Sequence, residues 1–154
     1  MGNTDLLGEK KMSDILKLLL EKHPESIRHA DDNGQLPLHY ACHNNKVAII
    51  ELLIDAAPDT VRCGDKDGNL PLHCLCIDTD LDEMAAIQIS KLLLEMHPES
   101  IRHADNDGNL PIHIAAGRTK SSEFFRLLIE AYPGSERIAG QIGMLPFHYA
   151  CIYN

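Results

Sequence analysis

The chain has 154 residues, 44% hydrophobic and 24% charged, a balance typical of ordinary soluble folded proteins and unlike that of disordered chains. Lys and Arg number 14 against 23 Asp and Glu, and the resulting net charge of −9 disfavours nucleic-acid binding. The sequence has no run of about 20 apolar residues, which excludes membrane insertion.

Two segments near the N-terminus are distinguished by comparison with later parts of the chain. The segment from Met12 to Lys22 aligns with that from Ile89 to Met96, and we expect both to be helices of the same kind. Residues 1–11 have no counterpart further along and are predicted to be an N-terminal tail.

A repeated motif follows the first predicted helix. The segment from His23 to Asp31 returns without change from His97 to Asp105, a looser copy begins at Ala57, and a more degraded one begins at Tyr132. Recurrence at a period of some tens of residues is the signature of a repeat architecture. We therefore expect structural units rather than one irregular core.

Each copy is followed by a second motif, of the form Gly-x-Leu-Pro-Leu-His with Ile112 or Phe147 in place of its second Leu. Its glycines stand 34, 40 and 35 residues apart, at Gly34, Gly68, Gly108 and Gly143. Proline at a first helical position has a suitable φ and gives up an amide that would be unpaired anyway. A short inner helix is therefore predicted to begin at each proline of the motif, namely Pro37, Pro71, Pro111 and Pro146.

A second, outer helix is predicted after each of the first three inner helices. Apolar residues recur with helical spacing in the three stretches that begin near Ile49, Ile89 and Phe124. Prolines then end these helices, because the residue before proline avoids the α-helical conformation. Turn dipeptides such as Asn33-Gly34 place a hairpin-like finger between successive units.

The combined pattern Asp-x-x-Gly-x-Leu-Pro-Leu-His-x-Ala-Cys resembles the ankyrin repeat, whose signature reads Thr-Pro-Leu-His-x-Ala in a unit of about 33 residues. The resemblance extends from Met12 onward. It implies an all-α solenoid of stacked helix-turn-helix units with short β-hairpin-like fingers. It also implies that the motif histidines are buried hydrogen-bonding struts, so the residues expected to be structural are His39, His73, His113, His148, Gly34, Gly68, Gly108 and Gly143.

Two departures from the family pattern are visible. Leucine replaces the threonine of the signature in all four motifs, which removes a hydroxyl that caps the inner helix in the family, at a cost of about 1 kcal/mol. Packing of the leucines between units would offset that loss. Gly140 stands where the other units have Asp31, Asp65 and Asp105, so the last finger is expected to differ.

The alignment predicts the boundaries of the units. They are a partial unit at 12–30, full units at 31–64, 65–104 and 105–139, and a partial unit at 140–154. Half units at both ends favour a fragment of a longer array, since open apolar faces normally need capping repeats. The second unit has extra residues around Ile77 to Gln88, where Asp80 is expected to cap a lengthened helix.

Metal binding and catalysis fit this sequence less well than a repeat architecture does. His73, Cys74 and Cys76 could bind zinc, but they lack the separated ligand pairs of structural sites, so core packing is favoured. The acidic stretch that begins at Asp78 resembles a calcium loop but has Glu83 where such loops need glycine. No catalytic motif is present, so we predict no enzyme activity, no metal and no cofactor.

The resemblance implies a protein-interaction scaffold or adaptor that binds its partner through the concave face. The acidic charge favours a partner with a basic segment. A regulatory segment of a larger enzyme or channel, a metal-binding protein and a structural spacer are the alternatives. We expect a monomer in the cytoplasm, with the nucleus also open, because an odd count of five cysteines without an export signal indicates reduced thiols. The family's contact positions fall on Asp32, Gln35, His43, Asn44, Lys66, Asn69, Ile77, Asp78, Asn106, Asn109 and Arg118.

Overall fold

The computed structural model describes residues 3–44, 46–77, 82–118 and 121–153, and it leaves the side chains of residues 3–7, 9 and 153 undescribed. Within those ranges the fold is all-α, with eight α-helices and no strand, which confirms the predicted class. The helices are α1 (Asn3–Lys22), α2 (Pro37–His43), α3 (Val47–Ala56), α4 (Pro71–Ile77), α5 (Glu83–Met96), α6 (Pro111–Ala116), α7 (Ser122–Ala131) and α8 (Pro146–Tyr153).

The inner helices α2, α4, α6 and α8 begin at the motif prolines, as predicted. The amide that precedes each proline is satisfied by the motif histidine. In α2, the Leu36 N–H donates to His39 Nδ1 at 3.0 Å, and the His39 N–H donates to the Leu36 carbonyl at 2.9 Å. Backbone and imidazole thus cap the helix without the threonine hydroxyl. The leucines that replace it are buried at Leu36, Leu70 and Leu110.

The outer helices α3, α5 and α7 each end two residues before a proline, at Pro58, Pro98 and Pro133. A short 3₁₀-helix that the sequence did not predict then follows at Pro58–Arg62 and Pro98–Arg102, and an equivalent one, Pro24–Arg28, follows α1. Its third residue holds the turn, since the Thr60 hydroxyl donates to the Ala57 carbonyl at 2.6 Å. Ser26 and Ser100 make the same bond.

Stacking of the units creates one continuous core. The inner helices pack in the order α2, α4, α6, α8, and the outer helices in the order α1, α3, α5, α7. Helices α2, α4 and α6 also pack on the outer helix of their own unit. Large side chains such as Leu38, Ile50, Leu72 and Phe124 are almost completely buried in this layer. Each unit therefore buries its apolar face against its neighbours, as repeat arrays do.

The helix boundaries differ from the sequence expectation in two places. Most of the segment 1–11 is helical, since α1 begins at Asn3; this stretch contains no proline and only one described glycine, Gly8, to interrupt a helix. The extra residues of the second unit lengthen α5, which has 14 residues against 10 in α3. Its N-cap is Asp82, whose carboxylate accepts from the Met84 N–H at 3.0 Å, whereas Asp80 lies outside the described residues.

Candidate protein-interaction surface

Three of the four motif histidines tie the inner helix of a unit to the loop at the end of the same unit. In each, Nδ1 accepts from the leucine amide, so Nε2 carries the proton and donates. His39 Nε2 donates to the Cys63 carbonyl at 3.1 Å, His73 Nε2 to the His103 carbonyl at 3.1 Å, and His113 Nε2 to the Ile138 carbonyl at 2.9 Å. Each imidazole therefore connects an inner helix to the loop that follows the next outer helix.

Burial keeps these imidazoles neutral. It lowers the pKa of His73 to about 4 and also lowers the pKa of His39 and His113. A neutral ring suits the strut, because Nδ1 must accept while Nε2 donates. The expectation of burial does not hold for His148, which is exposed because it lies in the last inner helix and the described chain places no further unit over it.

The fingers are organised by one aspartate each. Asp31 Oδ1 accepts from the Asn33 and Gln35 amides, both at 2.8 Å, and Asp65 and Asp105 make the same pair of bonds in their units. The Tyr40 hydroxyl donates to Asp31 Oδ2 at 2.6 Å, and this bond is the main reason that the pKa of Asp31 is lowered. These three carboxylates thus hold the turns together.

Successive fingers are hydrogen-bonded to each other. The Lys66 amide donates to the Asn33 carbonyl and the Asn106 amide to the Asp67 carbonyl, both at 2.9 Å. Lys66 Nζ also donates to the Asp32 carbonyl at 2.6 Å, and Asn106 Nδ2 donates to the Lys66 carbonyl at 2.8 Å. Finger tips therefore form a connected row, with Lys66 and Asn106 engaged in it.

The residues predicted to contact a partner differ in exposure. Six of them are exposed, namely Asp32, His43, Asn44, Lys66, Asn106 and Arg118. Three are half-buried, namely Ile77, Gln35 and Asn69, and the side-chain amides of Gln35 and Asn69 lie 3.3 Å from Asp65 Oδ2. Asp78 lies outside the described residues.

Asn109 was predicted to contact a partner but is buried. Its side chain is only 8% exposed, and Oδ1 accepts from both the Gln141 amide at 3.1 Å and the Tyr149 hydroxyl at 2.5 Å. Asn109 therefore holds the third unit to the fourth. It does this because the fourth finger has Gly140 in place of the usual aspartate, so Tyr149 bonds to the preceding unit where Tyr40 bonds to its own.

Tyr40 is a candidate contact that the sequence interpretation missed. Its ring is 48% exposed on the same face of α2 as His43 and Asn44, and its hydroxyl is fixed by Asp31. A rigid, half-exposed tyrosine is typical of residues that dominate interface energies. The signal was present in the sequence, since Tyr40 follows the motif histidine at a position that the helical period turns away from the buried Leu38, His39 and Cys42.

A cleft lies on the same face between α6 and α8. It has a volume of about 260 Å³ and is lined by Ile114, Gly117, Arg118, Gln141, Tyr149 and Asn109. The exposed Arg118 stands beside apolar surface here, so the surface is acidic and aromatic near α2 and carries a cation near α8.

The buried thiols belong to the core. Burial raises the pKa of Cys74 to about 12 and that of Cys42 well above its usual value, so both stay protonated. Across the described ranges, no group of three or more His, Cys, Asp or Glu is arranged to bind a metal ion.

These stacked helix pairs, joined by finger turns and histidine struts, define an ankyrin-type solenoid. A family model of ankyrin repeats in three copies matches residues 7–87, more than half of the chain, which therefore belongs to the ankyrin repeat family. Helices α6, α7 and α8 continue the same stacking beyond the matched residues. No curated protein matches the chain.

Ankyrin repeats in general mediate protein–protein interactions and are typically non-catalytic. Within the described ranges, no helix has both the length and the apolar character needed to cross a membrane.

Proposed function

We propose that this protein is a non-catalytic binding module, a scaffold or adaptor that takes a basic segment of a partner protein along its finger tips and inner helices. The observation that carries the proposal is that only one aspartate of each finger binds the amides of the turn. Asp31, Asp65 and Asp105 accept from the backbone amides of their own turns, whereas the exposed carboxylates of Asp32, Asp67 and Asp107 make no such bond among the described residues. Carboxylates that do not serve the turn are available to a ligand.

Stacking of the fingers strengthens this acidic row. The bonds from Lys66 and Asn106 to neighbouring fingers hold the three exposed carboxylates on adjacent tips of one edge. Like charges held close together raise the local potential and steer a cationic partner toward the edge. The field decays over a Debye length of about 8 Å at physiological salt, so it acts on segments that run along the fingers.

Tyr40 supplies an anchor beside the acidic row. Its ring is exposed and its hydroxyl is bound to Asp31, so little conformational entropy is lost on binding. A Lys or Arg side chain that packs on the ring face gains a cation–π contact as well as the nearby carboxylates. Arg and Lys residues are therefore the expected contacts of the partner at the α2 end.

The proposal extends to location. None of the five cysteines forms a disulfide, which favours a reducing compartment, and we place the protein in the cytoplasm or nucleus.

The test uses proximity labelling in cells, followed by binding measurements on the purified partner. Asp32→Lys combined with Asp67→Lys should slow association and flatten its dependence on salt. The matched control is Asp55→Lys combined with Glu95→Lys, which makes the same charge change at exposed positions of the outer helices. Tyr40→Ala should instead accelerate dissociation. Equal binding by the finger variant and the control would refute the acidic finger edge as the site.

A further inference from the structure

Helix α1 presents an apolar face that the equivalent helices keep buried. Leu19 is 50% exposed, whereas the residues at its position in the other outer helices, Leu53, Leu93 and Leu128, are at most 2% exposed. Ile15 is 56% exposed, against 0% for Ile89 and 1% for Phe124. In α3, α5 and α7 this face packs on an inner helix of the same unit. The open face of α1 is thus shaped to receive an inner helix.

Helix α8 has the reciprocal property. Phe147 is 74% exposed, whereas Leu38, Leu72 and Ile112, at its position in the other inner helices, are each 1% exposed. His148 and Cys151 are exposed where their equivalents are buried. In α2, α4 and α6 these positions are covered by an outer helix and the following unit, so the open face of α8 is shaped to receive an outer helix.

The charges around the two open faces match when the internal stacking is continued. Arg28 forms a two-point ion pair with Asp59 of the next unit, with nitrogen–oxygen distances of 2.6 and 2.9 Å. Arg137 occupies the position of Arg28 in the last repeat, and Glu25 occupies the position of Asp59 in the first. Continued stacking therefore brings a cation opposite an anion, as at Arg28 and Asp59; among the described residues, Arg62 and Glu99 occupy the same positions without forming an ion pair.

A second pair follows from the outer helices. Gln88 of α5 lies 3.3 Å from Glu51 of α3 through its amide nitrogen. The position of Glu51 is taken by Arg126 in α7, and that of Gln88 by Asp14 in α1. Both are exposed, and continued stacking again brings opposite charges together.

The histidine strut extends the same register. The carbonyls that accept from Nε2 of His39, His73 and His113 belong to Cys63, His103 and Ile138. The equivalent residue after α1 is His29, in an open surface depression lined by His23, Glu25, Ser26, Arg28, His29 and Pro37. Exposed His148 is the donor that would complete this bond.

We propose that the occupant of both faces is a second copy of this chain, stacked head to tail, in place of the monomer expected from the sequence. Helices α7 and α8 of one copy pack on α1 and α2 of the next, and α8 and α1 form a composite inner–outer pair. The interface joins two different surfaces, so it does not close as a symmetric dimer and assembly continues with concentration. Apolar burial supplies affinity, and the two charge pairs set the register.

Sedimentation of the 154-residue chain across low to high micromolar concentration tests the proposal. The weight-average mass should rise with concentration, through species whose masses are multiples of 17.1 kDa. Leu19→Glu and Phe147→Glu should each lower the association constant more than about tenfold, because each buries a carboxylate in an apolar contact. Met84→Glu, which changes a methionine 73% exposed on α5, is the matched control and should assemble normally. Circular dichroism checks that each variant is folded.

Mixing separates head-to-tail stacking from any other self-association. Leu19→Glu protein keeps an intact α8, and Phe147→Glu protein keeps an intact α1, so an equimolar mixture should form dimers and nothing larger. A wild-type chain that stays monomeric at every concentration would overturn the proposal and leave further repeats of a longer array as the occupant of the two faces. So would a mixture that stays monomeric, or a dimer formed by either variant alone.

A charge exchange tests the register. Glu25→Arg and Arg137→Glu should each weaken assembly about two- to fivefold, the range of exposed ion pairs, and the double variant should recover it. Each single substitution also breaks a local contact, of Glu25 with His23 or of Arg137 with Glu136. Comparison of the double variant with the two single variants cancels these local effects. Losses that simply add in the double variant would show that the two residues do not meet, and would overturn the proposed register.

Discussion

Asn109 Oδ1 lies 2.7 Å from the point that a Cβ atom on Gly140 would occupy, and the His113 ring lies 3.0 Å from the same point. Gly140 is therefore not a degraded copy of the finger aspartate. It leaves room for the buried Asn109 amide that bonds Gln141 and Tyr149. The fourth unit is joined to the third by a different set of bonds from those in the earlier fingers.

Restoring the repeat consensus at this position should therefore destabilise the protein. Gly140→Asp should cost about 1 to 3 kcal/mol, the range for overpacked sites, even though aspartate organises the other three fingers. The free energy of unfolding from urea titration measures it. Ala139→Asp, at the exposed neighbour, serves as control and should stay within about 0.5 kcal/mol of wild type. A stabilised Gly140→Asp protein would contradict this account of the fourth finger.

Substitutions at two finger glycines distinguish the energetic cost of a left-handed backbone from the cost of disturbing the contact with the next finger. Gly68 and Gly108 have nearly equal φ angles of 80° and 84°. A Cβ on Gly68 would lie 2.7 Å from Asn106 Oδ1 and 2.9 Å from its amide nitrogen, whereas one on Gly108 would meet nothing within 4 Å. Gly108→Ala should cost about 1 to 2 kcal/mol for the left-handed conformation alone. Gly68→Ala should cost at least about 1 kcal/mol more, because the next finger must move.

Thermal or urea unfolding of the two variants gives this difference directly. Equal losses would mean that the Lys66–Asn106 row of finger contacts contributes nothing to stability.

Removal of a histidine strut should be severe. His113→Ala leaves the Leu110 amide and the Ile138 carbonyl without their partner, each a buried or half-buried polar group, and should cost about 2 to 4 kcal/mol. His43→Ala changes an exposed histidine of α2 and should stay within about 0.5 kcal/mol of wild type. The midpoint of urea unfolding is the measurement. Indistinguishable midpoints would show that His113 is not a strut.

Stability should fall as the pH is lowered through the histidine range. The folded-state pKa values of His39, His73 and His113 lie below the usual 6.5, so the unfolded chain binds more protons. Their contribution is fully present above pH 6.5 and is lost as the pH falls toward the folded-state pKa, which is about 4 for His73. For His73 alone this loss approaches about 3 kcal/mol.

The free energy of unfolding between about pH 7.5 and pH 5 tests this window, which lies above the range of ordinary carboxylates. His73→Gln should be less stable at the upper limit but should have a shallower pH dependence. His43→Gln, the exposed control, should retain the wild-type slope. A stability that rises on acidification, or an unchanged slope for His73→Gln, would contradict a buried neutral imidazole.

The order of the repeats and the pairing of inner and outer helices were predictable from the sequence. Proline has the same local effect wherever it occurs, so Pro37 and Pro58 mark the start of one helix and the end of another without reference to the rest of the fold. The recurrence of Leu-Pro-Leu-His marked the motif histidines as equivalent positions, because each unit can bury its apolar face only against another unit of the same kind. The carbonyls that they bind were not predicted.

The tertiary structure alone decided which polar residues remain available. Asp31 and Asp32 are adjacent and chemically identical, yet only Asp31 accepts from the Asn33 and Gln35 amides of the finger. The fold alone fixes which of the two carboxylates meets those amides. Asn109 is buried, unlike the similar Asn69, because Tyr149 and Gln141 approach it from the next unit. The open faces at Leu19 and Phe147 likewise follow from packing, since exposure depends on which helices lie opposite and not on the residue itself.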